Sequence, residues 1–364
     1  MDKTCRKILF YSVLIISIFV VSFFILETLL RIKGDFYSWG DKNGLGYNTI
    51  YDRIGLSKNW YHIRYPGGTD IEKRPEFEFT VKMNSEGVRD IEHPLKKSSG
   101  EIRIVTFGDS FTEGVGASFE NIWPVQLSRS LNSKISKKKI TIINGGVAAS
   151  DPFYSYKLLT DRLIKYEPDI VMLAINATDI VDVIGRGGLE RFLPDGTVKY
   201  MDPPISIYFF KHSHVVRAIM LRLLNYNWYG LGKKDDAEKS VKALKKIEEI
   251  ICKYEAFLNY RNIKFVTIVH PLYKETLRTE MRTDLTELVS SLIKKNIEVY
   301  DLRKYIRGKI PPMKEEVDKY FWPVDTHMNL NGYKLFAEGV EEYLLASEWF
   351  LNRINKKNQI LLNK

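Results

Sequence analysis

Cysteine is almost absent from this chain of 364 residues, which contains only Cys5 and Cys252. Cys5 borders a long apolar run near the N-terminus, and Cys252 lies in a segment with helical spacing, so we expect no disulfide between them. The cysteines therefore carry no information about the redox compartment. The composition, 45% hydrophobic and 27% charged, is typical of one large folded domain with some additional segments.

Sequence signals for cofactors and nucleic acid are also missing. The chain has no phosphate-binding Walker loop, and the glycines of residues 185–188 lack the strand–helix context of a nucleotide site. His212 and His214 have no Cys, Asp or Glu at metal-ligand spacing beside them. The net charge of +10 comes with lysines scattered in short groups, which is typical of solvated faces. We therefore expect no metal, no cofactor and no nucleic-acid partner.

A long apolar run is present near the N-terminus. Residues 8–26 carry no charge. As a helix they would span about 28 Å, close to the thickness of the hydrocarbon core of a bilayer. The run is longer than the core of a cleaved signal peptide, and no small-x-small cleavage site follows it. We predict a transmembrane anchor over residues 1–34, with the basic residues before the run keeping the N-terminus in the cytoplasm. The remainder of this single-pass membrane protein would then be periplasmic or extracellular.

Strands and helices alternate between residues 101 and 345. Short β-branched apolar runs predict five strands, at residues 102–107, 140–143, 170–175, 263–269 and 297–302. Segments with helical spacing lie between them, so the sequence predicts an α/β fold with a mostly parallel five-stranded sheet that is covered on both faces. In such sheets the reactive groups gather at the carboxyl ends of the strands.

Three further segments flank or interrupt this pattern. Residues 35–100 form a lead-in, with one alternating stretch at residues 77–81 that indicates a short strand. Residues 185–236 are long for a connection and rich in aromatic and apolar side chains, which indicates an inserted cap or a membrane-leaning element. A helical hairpin that covers one sheet face is an equal alternative for this insertion. Residues 346–364 form a basic C-terminal tail.

Two short segments carry residues suited to nucleophilic catalysis. Ser110 lies directly after the first strand of the predicted sheet, where its hydroxyl can be exposed and its own amide can donate to an oxyanion. Near the other end, Asp325 and His327 precede a helical segment. A neutral histidine can take the serine proton, and a carboxylate can orient the histidine ring and stabilise its charged form.

Four ordered segments resemble the blocks of the SGNH (GDSL-like) hydrolase family. They are GDS at residues 108–110, NGG at residues 144–146, NATD at residues 176–179 and DTH at residues 325–327. The resemblance covers about residues 101–345, and four ordered blocks are far more specific than one. It implies a flavodoxin-like three-layer α/β/α sandwich. The lead-in sequence NSEGVR at residues 84–89 is similar to that of membrane-anchored bacterial members.

The resemblance also implies roles for individual residues. Ser110 would be the nucleophile, with Asp325 and His327 as its base pair, and the amides of Ser110 and Gly146 would form part of the oxyanion hole. The family's third-block asparagine directly precedes an aspartate, a position that Thr178 occupies here, with Asn176 two residues earlier. Residues two apart on an extended chain point to the same side, so either side chain could be the donor. The one-residue spacing between aspartate and histidine also departs from the family's usual two.

These observations favour a serine esterase that acts on O-acyl esters, with an O-acetylated cell-surface polysaccharide as the substrate that the resemblance and the anchor imply. An O-acyltransferase with the same triad is the nearest alternative. A non-catalytic binding or assembly protein on a degenerate scaffold is the third. The expected partners are an acylated small molecule or glycan and, through the N-terminal helix, a membrane; the sequence identifies no protein partner.

Overall fold

The structure is a computed structural model that describes residues 2–36, 66–194, 198, 205–226 and 233–355, without the side chains of residues 233–236. The chain forms two compact units. One comprises Met1–Leu56 with Tyr200–Val241, and the other comprises Ser57–Lys199 with Lys242–Lys364. Parts of the predicted lead-in (residues 37–65), insertion and C-terminal tail (residues 356–364) lie outside the described residues.

The second unit contains the sheets. The strands are β1 (Thr69–Lys73), β2 (Glu78–Lys82), β3 (Glu101–Phe107), β4 (Lys139–Asn144), β5 (Ile170–Ile175), β6 (Lys264–Val269) and β7 (Val299–Asp301). The five strands from β3 onwards form one parallel sheet in the order β4-β3-β5-β6-β7. This is the flavodoxin-like order, with the direction of winding reversed at β3. The predicted α/β fold is confirmed, and each strand begins and ends within two residues of its predicted bounds.

Some helices cover the parallel sheet of the second unit, and others build the first unit. They are α1 (Lys3–Lys33), α2 (Ser110–Glu113), α3 (Trp123–Lys134), α4 (Pro152–Asp161), α5 (Ala177–Arg186), α6 (Ile205–His212), α7 (His214–Ala218), α8 (Lys233–Asn259), α9 (Tyr273–Thr276), α10 (Thr283–Lys294), α11 (Leu302–Lys309), α12 (Lys314–Val317), α13 (Leu330–Ala346) and α14 (Glu348–Asn355).

Both faces of the parallel sheet are buried, which explains why its strands are apolar without alternation. On one face, Ile104 belongs to a core with Trp123 of α3 and Phe336 of α13, whose rings stack with centroids 4.7 Å apart. On the other face, Val105 belongs to a core that also contains Tyr254 of α8. Helices on both sides of one sheet make the three-layer sandwich that the resemblance implied.

Residues 66–100 of the lead-in are folded against this domain. β1 and β2 form an antiparallel hairpin, and the buried Phe77 stacks on Phe79 and contacts Trp322. The sequence indicated β2 but not its partner, because the TDIEK segment of β1 carries too few apolar residues to be recognised as a strand. The C-terminal α14 likewise buries Phe350 and Ile354 in the domain core.

The first unit is built on α1. None of the side chains of α1 is buried, and α1 is the helix in the described part of the chain that is long and apolar enough to cross a membrane. The helices α6 and α7, from the predicted insertion, contact each other, and α7 contacts α1. The insertion is therefore divided: residues 185–199 belong to the sheet unit, and residues 200–236 belong to the unit of α1.

Candidate active site

Ser110 lies at the carboxyl end of β3, beside the point where the sheet reverses its winding. The strand ends at Phe107, and Ser110 is the first residue of the one-turn helix α2. The carboxylate of Asp109 caps this helix by accepting a hydrogen bond from the amide of Phe111, with a donor–acceptor distance of 2.9 Å. Ser110 itself is partly exposed, so its hydroxyl is accessible to a substrate.

The turn that precedes Ser110 requires a glycine. Gly108 has a φ of 151°. A Cβ atom at this position would lie 2.3 Å from Thr112 Oγ1 and 2.9 Å from the carbonyl oxygen of Ala174. Any larger residue would therefore displace α2 from the end of the sheet, and with it Ser110.

The loop after α2 is held by three side chains. Each carbonyl of residues 114–117 accepts a hydrogen bond from a side chain. Arg89 donates to the first and the last, both at 2.6 Å, Tyr333 donates to the second at 2.7 Å, and Trp322 donates to the third at 2.9 Å. Arg89 comes from the lead-in, whereas Trp322 and Tyr333 flank the segment that carries His327. The loop therefore connects the serine helix to both segments. Sequence reasoning assigned neither Trp322 nor Tyr333 a role in this loop.

His327 lies in a tight loop between Phe321 and Met328, which form an antiparallel bridge. The amide of Thr326 donates to the carbonyl of Trp322 at 2.7 Å. Thr326 has a φ of 75°, a left-handed conformation that is unusual for a β-branched residue. This turn brings the carboxylate of Asp325 back onto the ring of His327. The one-residue spacing between them is therefore compatible with a hydrogen-bonded pair.

Ser110, His327 and Asp325 form a continuous hydrogen-bonded chain. Ser110 Oγ lies 2.8 Å from His327 Nε2, and His327 Nδ1 lies 2.5 Å from Asp325 Oδ1. With the ring proton on Nδ1, the imidazole donates to the carboxylate and accepts from the serine hydroxyl, which is the arrangement that a general base needs. The structure thus brings together the three residues that the sequence predicted as nucleophile, base and orienting acid.

Two residues of the β1–β2 turn support Asp325. Glu76 Oε2 accepts hydrogen bonds from the amides of Asp325, at 2.7 Å, and Val324, at 3.0 Å, and Arg74 Nε lies 3.7 Å from Asp325 Oδ2. Burial raises the pKa of Asp325, but the hydrogen bond and charge of His327 and the charge of Arg74 outweigh it, so the pKa lies below its ordinary value. The carboxyl is therefore ionised at neutral pH. Sequence reasoning did not identify Glu76 or Arg74, since nothing in the sequence connects the lead-in to this loop.

Gly146 does not have the geometry that its predicted role requires. Its amide donates to Asn144 Oδ1 at 3.0 Å, inside the protein. A Cβ atom on Gly146 would lie 2.3 Å from the amide nitrogen of Glu113, so the glycine allows the loop after β4 to pack closely on α2. As placed, this amide is not free to bind an oxyanion, which corrects the assignment made from the sequence.

Ala149, three residues later in the same loop, has a different environment. It adopts a left-handed conformation with a φ of 59°, and its amide makes no hydrogen bond to another described residue, whereas the amides on either side of it do. The amide of Val147 and the hydroxyl of Ser150 donate to the carbonyl of Gly108 at 3.0 and 3.1 Å. These bonds hold the loop beside the turn that precedes Ser110.

Asn176 and Thr178 take part in a hydrogen-bond network with Asp109. Asn176 Nδ2 lies 2.9 Å from Asp109 Oδ2 and 3.1 Å from His270 Nε2. Burial lowers the pKa of His270, so its ring stays neutral and both amide hydrogens of Asn176 have buried partners. The Thr178 hydroxyl lies 2.8 Å from Asn176 Oδ1 and 3.1 Å from Asp109 Oδ2. As placed, Asn176 cannot serve as an oxyanion donor, and Thr178 could do so only after its hydroxyl rotates.

A buried carboxyl lies behind this network. Asp179 Oδ2 accepts a hydrogen bond from the amide of Asn176 at 2.8 Å. Burial raises the pKa of Asp179 well above its usual range, and the nearby charge of Asp109 raises it further. Because the unfolded chain loses this proton at lower pH than the folded chain, folding is penalised once the pH exceeds the ordinary aspartate range.

We therefore expect Asp179→Asn to stabilise the fold in a pH-dependent way. Asparagine keeps an acceptor for the amide of Asn176 and carries no titratable group, so the gain should be present at pH 7 and vanish near pH 4. Thermal unfolding of both proteins at the two pH values measures this difference. A melting temperature for Asp179→Asn that is lower than that of the wild type at pH 7, but not at pH 4, would contradict the expectation.

No metal-ligand cluster is found in the residues that the structure describes. They contain no group of three or more His, Cys, Asp or Glu side chains arranged to hold a metal ion. His214 is buried and hydrogen-bonded through its amide to Glu27, and the ring of His212 packs against Tyr208.

Comparison with known proteins identifies neither a family nor a curated relative: no protein-family model matches the chain, and no curated protein matches it. Solved structures do show similarity. One is described as a lipolytic protein of the G-D-S-L family from Desulfitobacterium hafniense DCB-2, with 16% sequence identity, coverage of 66% of this chain and 98% of that chain, and a TM-score of 0.38.

Two further similar structures are acetyl xylan esterases. AlAXEase is 16% identical over 66% of this chain and 99% of its own, with a TM-score of 0.42. Axe2 from Geobacillus stearothermophilus is 12% identical over 70% of this chain and 95% of its own, also with a TM-score of 0.42. Because these TM-scores lie below 0.5, the fold assignment rests on the strand order described above.

Proposed function

We propose that this protein is a serine esterase that hydrolyses O-acyl esters. The observation that carries the proposal is the hydrogen-bonded chain from Ser110 Oγ to His327, at 2.8 Å, and from His327 to Asp325, at 2.5 Å. The partly exposed position of Ser110 at the end of β3 supports it, because parallel α/β sheets bind their ligands there. Fold alone would not support this conclusion, since one fold hosts many functions.

In the proposed reaction, Ser110 Oγ attacks the ester carbonyl while His327 Nε2 takes the serine proton. The ionised Asp325 stabilises the imidazolium that forms. When the tetrahedral intermediate collapses, the imidazolium protonates the departing alcohol, and the acyl group remains on Ser110. A water molecule then attacks the acyl-enzyme with His327 again as base, which releases the carboxylic acid and restores the serine.

The oxyanion of each tetrahedral intermediate needs hydrogen-bond donors. We assign this role to the amide of Ser110, for which no acceptor is present in the described part of the chain, and to the amide of Ala149 in the adjacent loop. The hydroxyl of Thr178 would supply a third donor after rotation. Loss of one such donor commonly lowers turnover by about 10²–10³-fold.

The substrate class and location belong to the same proposal. The family resemblance and an N-terminal anchor favour O-acetyl groups on a cell-surface polysaccharide. In this arrangement α1 spans the membrane with its N-terminus in the cytoplasm, where Lys3, Arg6 and Lys7 favour it. The sheet unit would then lie in a periplasm or outside the cell, where such polysaccharides are found.

The test is hydrolysis of p-nitrophenyl acetate by the full chain in detergent, compared with Ser110→Ala and with fluorophosphonate labelling of both proteins. We expect burst release of p-nitrophenol and labelling in the wild type and neither in the variant. A folded wild type that neither reacts with the ester nor accepts the label would overturn the proposal and favour a binding protein. Labelling without hydrolysis, with acetyl transfer to an added oligosaccharide, would replace the esterase by an acyltransferase.

A further inference from the structure

The C-terminal end of α1 is joined to the helices that follow residue 204. The carboxylate of Glu27 accepts hydrogen bonds from the hydroxyl of Ser213 and from the amides of His214 and Val215, each at 2.9 Å. Arg31 donates to the carbonyl of His212 at 2.7 Å. Two consecutive turns of α1 thereby hold the junction between α6 and α7.

The position of this junction along α1 sets its depth in a bilayer. If residues 8–26 fill the hydrocarbon core, Glu27 and Arg31 lie about 1.5 and 7.5 Å beyond Leu26 along the helix axis. The polar layer on each side of the hydrocarbon core is about 5–7 Å thick. The junction of α6 and α7 is therefore held at the level of the lipid headgroups.

The segment formed by residues 205–224, which we call the α6–α7 segment, has two different faces. Ile207, Phe210, Val215 and Met220 are buried within the unit of α1. Five large apolar side chains of the segment, which we call its apolar face, are between 53% and 80% exposed: Ile205, Tyr208 and Phe209 on the side of α6 opposite Ile207 and Phe210, and Leu223 and Leu224 at the end of the segment. Uncovered apolar groups at this density indicate an interaction surface.

The unit that carries this apolar face also carries exposed basic side chains. Lys33 and Arg222 form ion pairs with Asp35 but keep exposed side chains, and Lys211 lies on the same segment. Aromatic and aliphatic residues beside basic ones are typical of helices that lie in a membrane interface, with the apolar side 5–10 Å deep. Tyr is also enriched at this level of membrane proteins.

We propose that the α6–α7 segment lies in the headgroup layer of the bilayer that α1 spans and binds lipid through this apolar face. The inference rests on the proposed membrane anchor and goes beyond the proposed hydrolysis. The anchor α1 and the α6–α7 segment would then contact the bilayer together, because Glu27 and Arg31 fix their relative position. The unit of α1 would be attached to the membrane by two elements instead of by a single helix.

The test uses single labels on the full chain in vesicles of phosphatidylcholine with some phosphatidylglycerol. In a Cys5→Ser, Cys252→Ser background, an environment-sensitive fluorophore is attached through Tyr208→Cys or Leu223→Cys. We expect blue-shifted emission from these labels in vesicles of unmodified lipid. Brominated acyl chains should quench this emission, and bromines near the headgroups should quench it more strongly than bromines near the chain ends. Ser17→Cys, at the centre of α1, should show the opposite dependence on bromine depth.

Tyr260→Cys is the matched control, because Tyr260 is an aromatic side chain of the other unit and is 85% exposed. Its label should not be quenched. If the Ser17 label is quenched and the labels on the α6–α7 segment are not, the anchor stands and the lipid contact is wrong. If the Ser17 label is not quenched either, the anchor itself is wrong. A blue shift without quenching that grows with the protein-to-lipid ratio would identify a second copy of the chain as the occupant and overturn the inference.

Discussion

Replacement of His327 by alanine is expected to lower kcat for p-nitrophenyl acetate by about 10⁴–10⁶-fold. The reason is that His327 Nε2, 2.8 Å from Ser110 Oγ, is the only base in contact with that hydroxyl among the described residues. Since the serine and the histidine act as one unit, the Ser110→Ala/His327→Ala double variant should be no slower than either single variant. Steady-state hydrolysis by the full chain in detergent measures all three.

A matched control for this experiment is present in the same unit. His93 Nε2 lies 2.9 Å from Asp90 Oδ2 and so forms a second histidine–aspartate pair, but without a serine. His93→Gln should keep activity within a few-fold of wild type. Turnover by His327→Ala close to that of the wild type would show that the esterase chemistry does not use this chain of residues.

Arg89→Leu is expected to lower the free energy of unfolding by about 3 kcal/mol, because two carbonyls would each lose a buried, charged donor. Arg89 is 1% exposed, and its guanidinium donates to the carbonyls of Gly114 and Ala117. These carbonyls belong to the loop that follows the serine helix, so kcat should fall as well. Denaturant unfolding and steady-state hydrolysis on the same preparations measure the two effects.

Two comparisons separate this effect from the general loss of an arginine. Arg261 also donates to a backbone carbonyl, that of Phe257 at 2.9 Å, but it is exposed, so Arg261→Leu should change stability by less than about 0.5 kcal/mol. Arg89→Lys keeps one donor group and should fall between the wild type and Arg89→Leu. Equal stability of Arg89→Leu and Arg261→Leu would rule out a structural role for the Arg89 contacts.

The lead-in contributes more to the candidate site than its sequence indicates. Arg89 holds the loop after the serine helix, and Glu76 holds the loop that carries Asp325. Both contacts join residues separated by at least 25 positions along the chain, and the contact of Glu76 spans 249 positions. No local pattern can reveal such pairs, because each partner is an ordinary polar residue or backbone group within its own segment.

The sequence was sufficient for the fold because the signals for it are local. β-branched apolar runs that alternate with helical segments predicted the five strands of the parallel sheet, and the sheet has them in the flavodoxin-like order. The first strand of the hairpin, β1, was missed, since a strand of mostly polar residues is stabilised by its partner and has no apolar period of its own.

For the site, residue type, order in the chain and the family resemblance selected Ser110, Asp325 and His327, and the structure places these three in one hydrogen-bonded chain. The oxyanion donors were different. Whether an amide is free depends on every group near it. The Gly146 amide donates to the side chain of Asn144, two residues earlier in the same loop, and the side-chain amide of Asn176 donates to Asp109, 67 positions away. Local patterns were enough to place the reactive serine after a strand, whereas the hydrogen bonds of the folded chain, both within a loop and between distant segments, decide which donors remain available to a substrate.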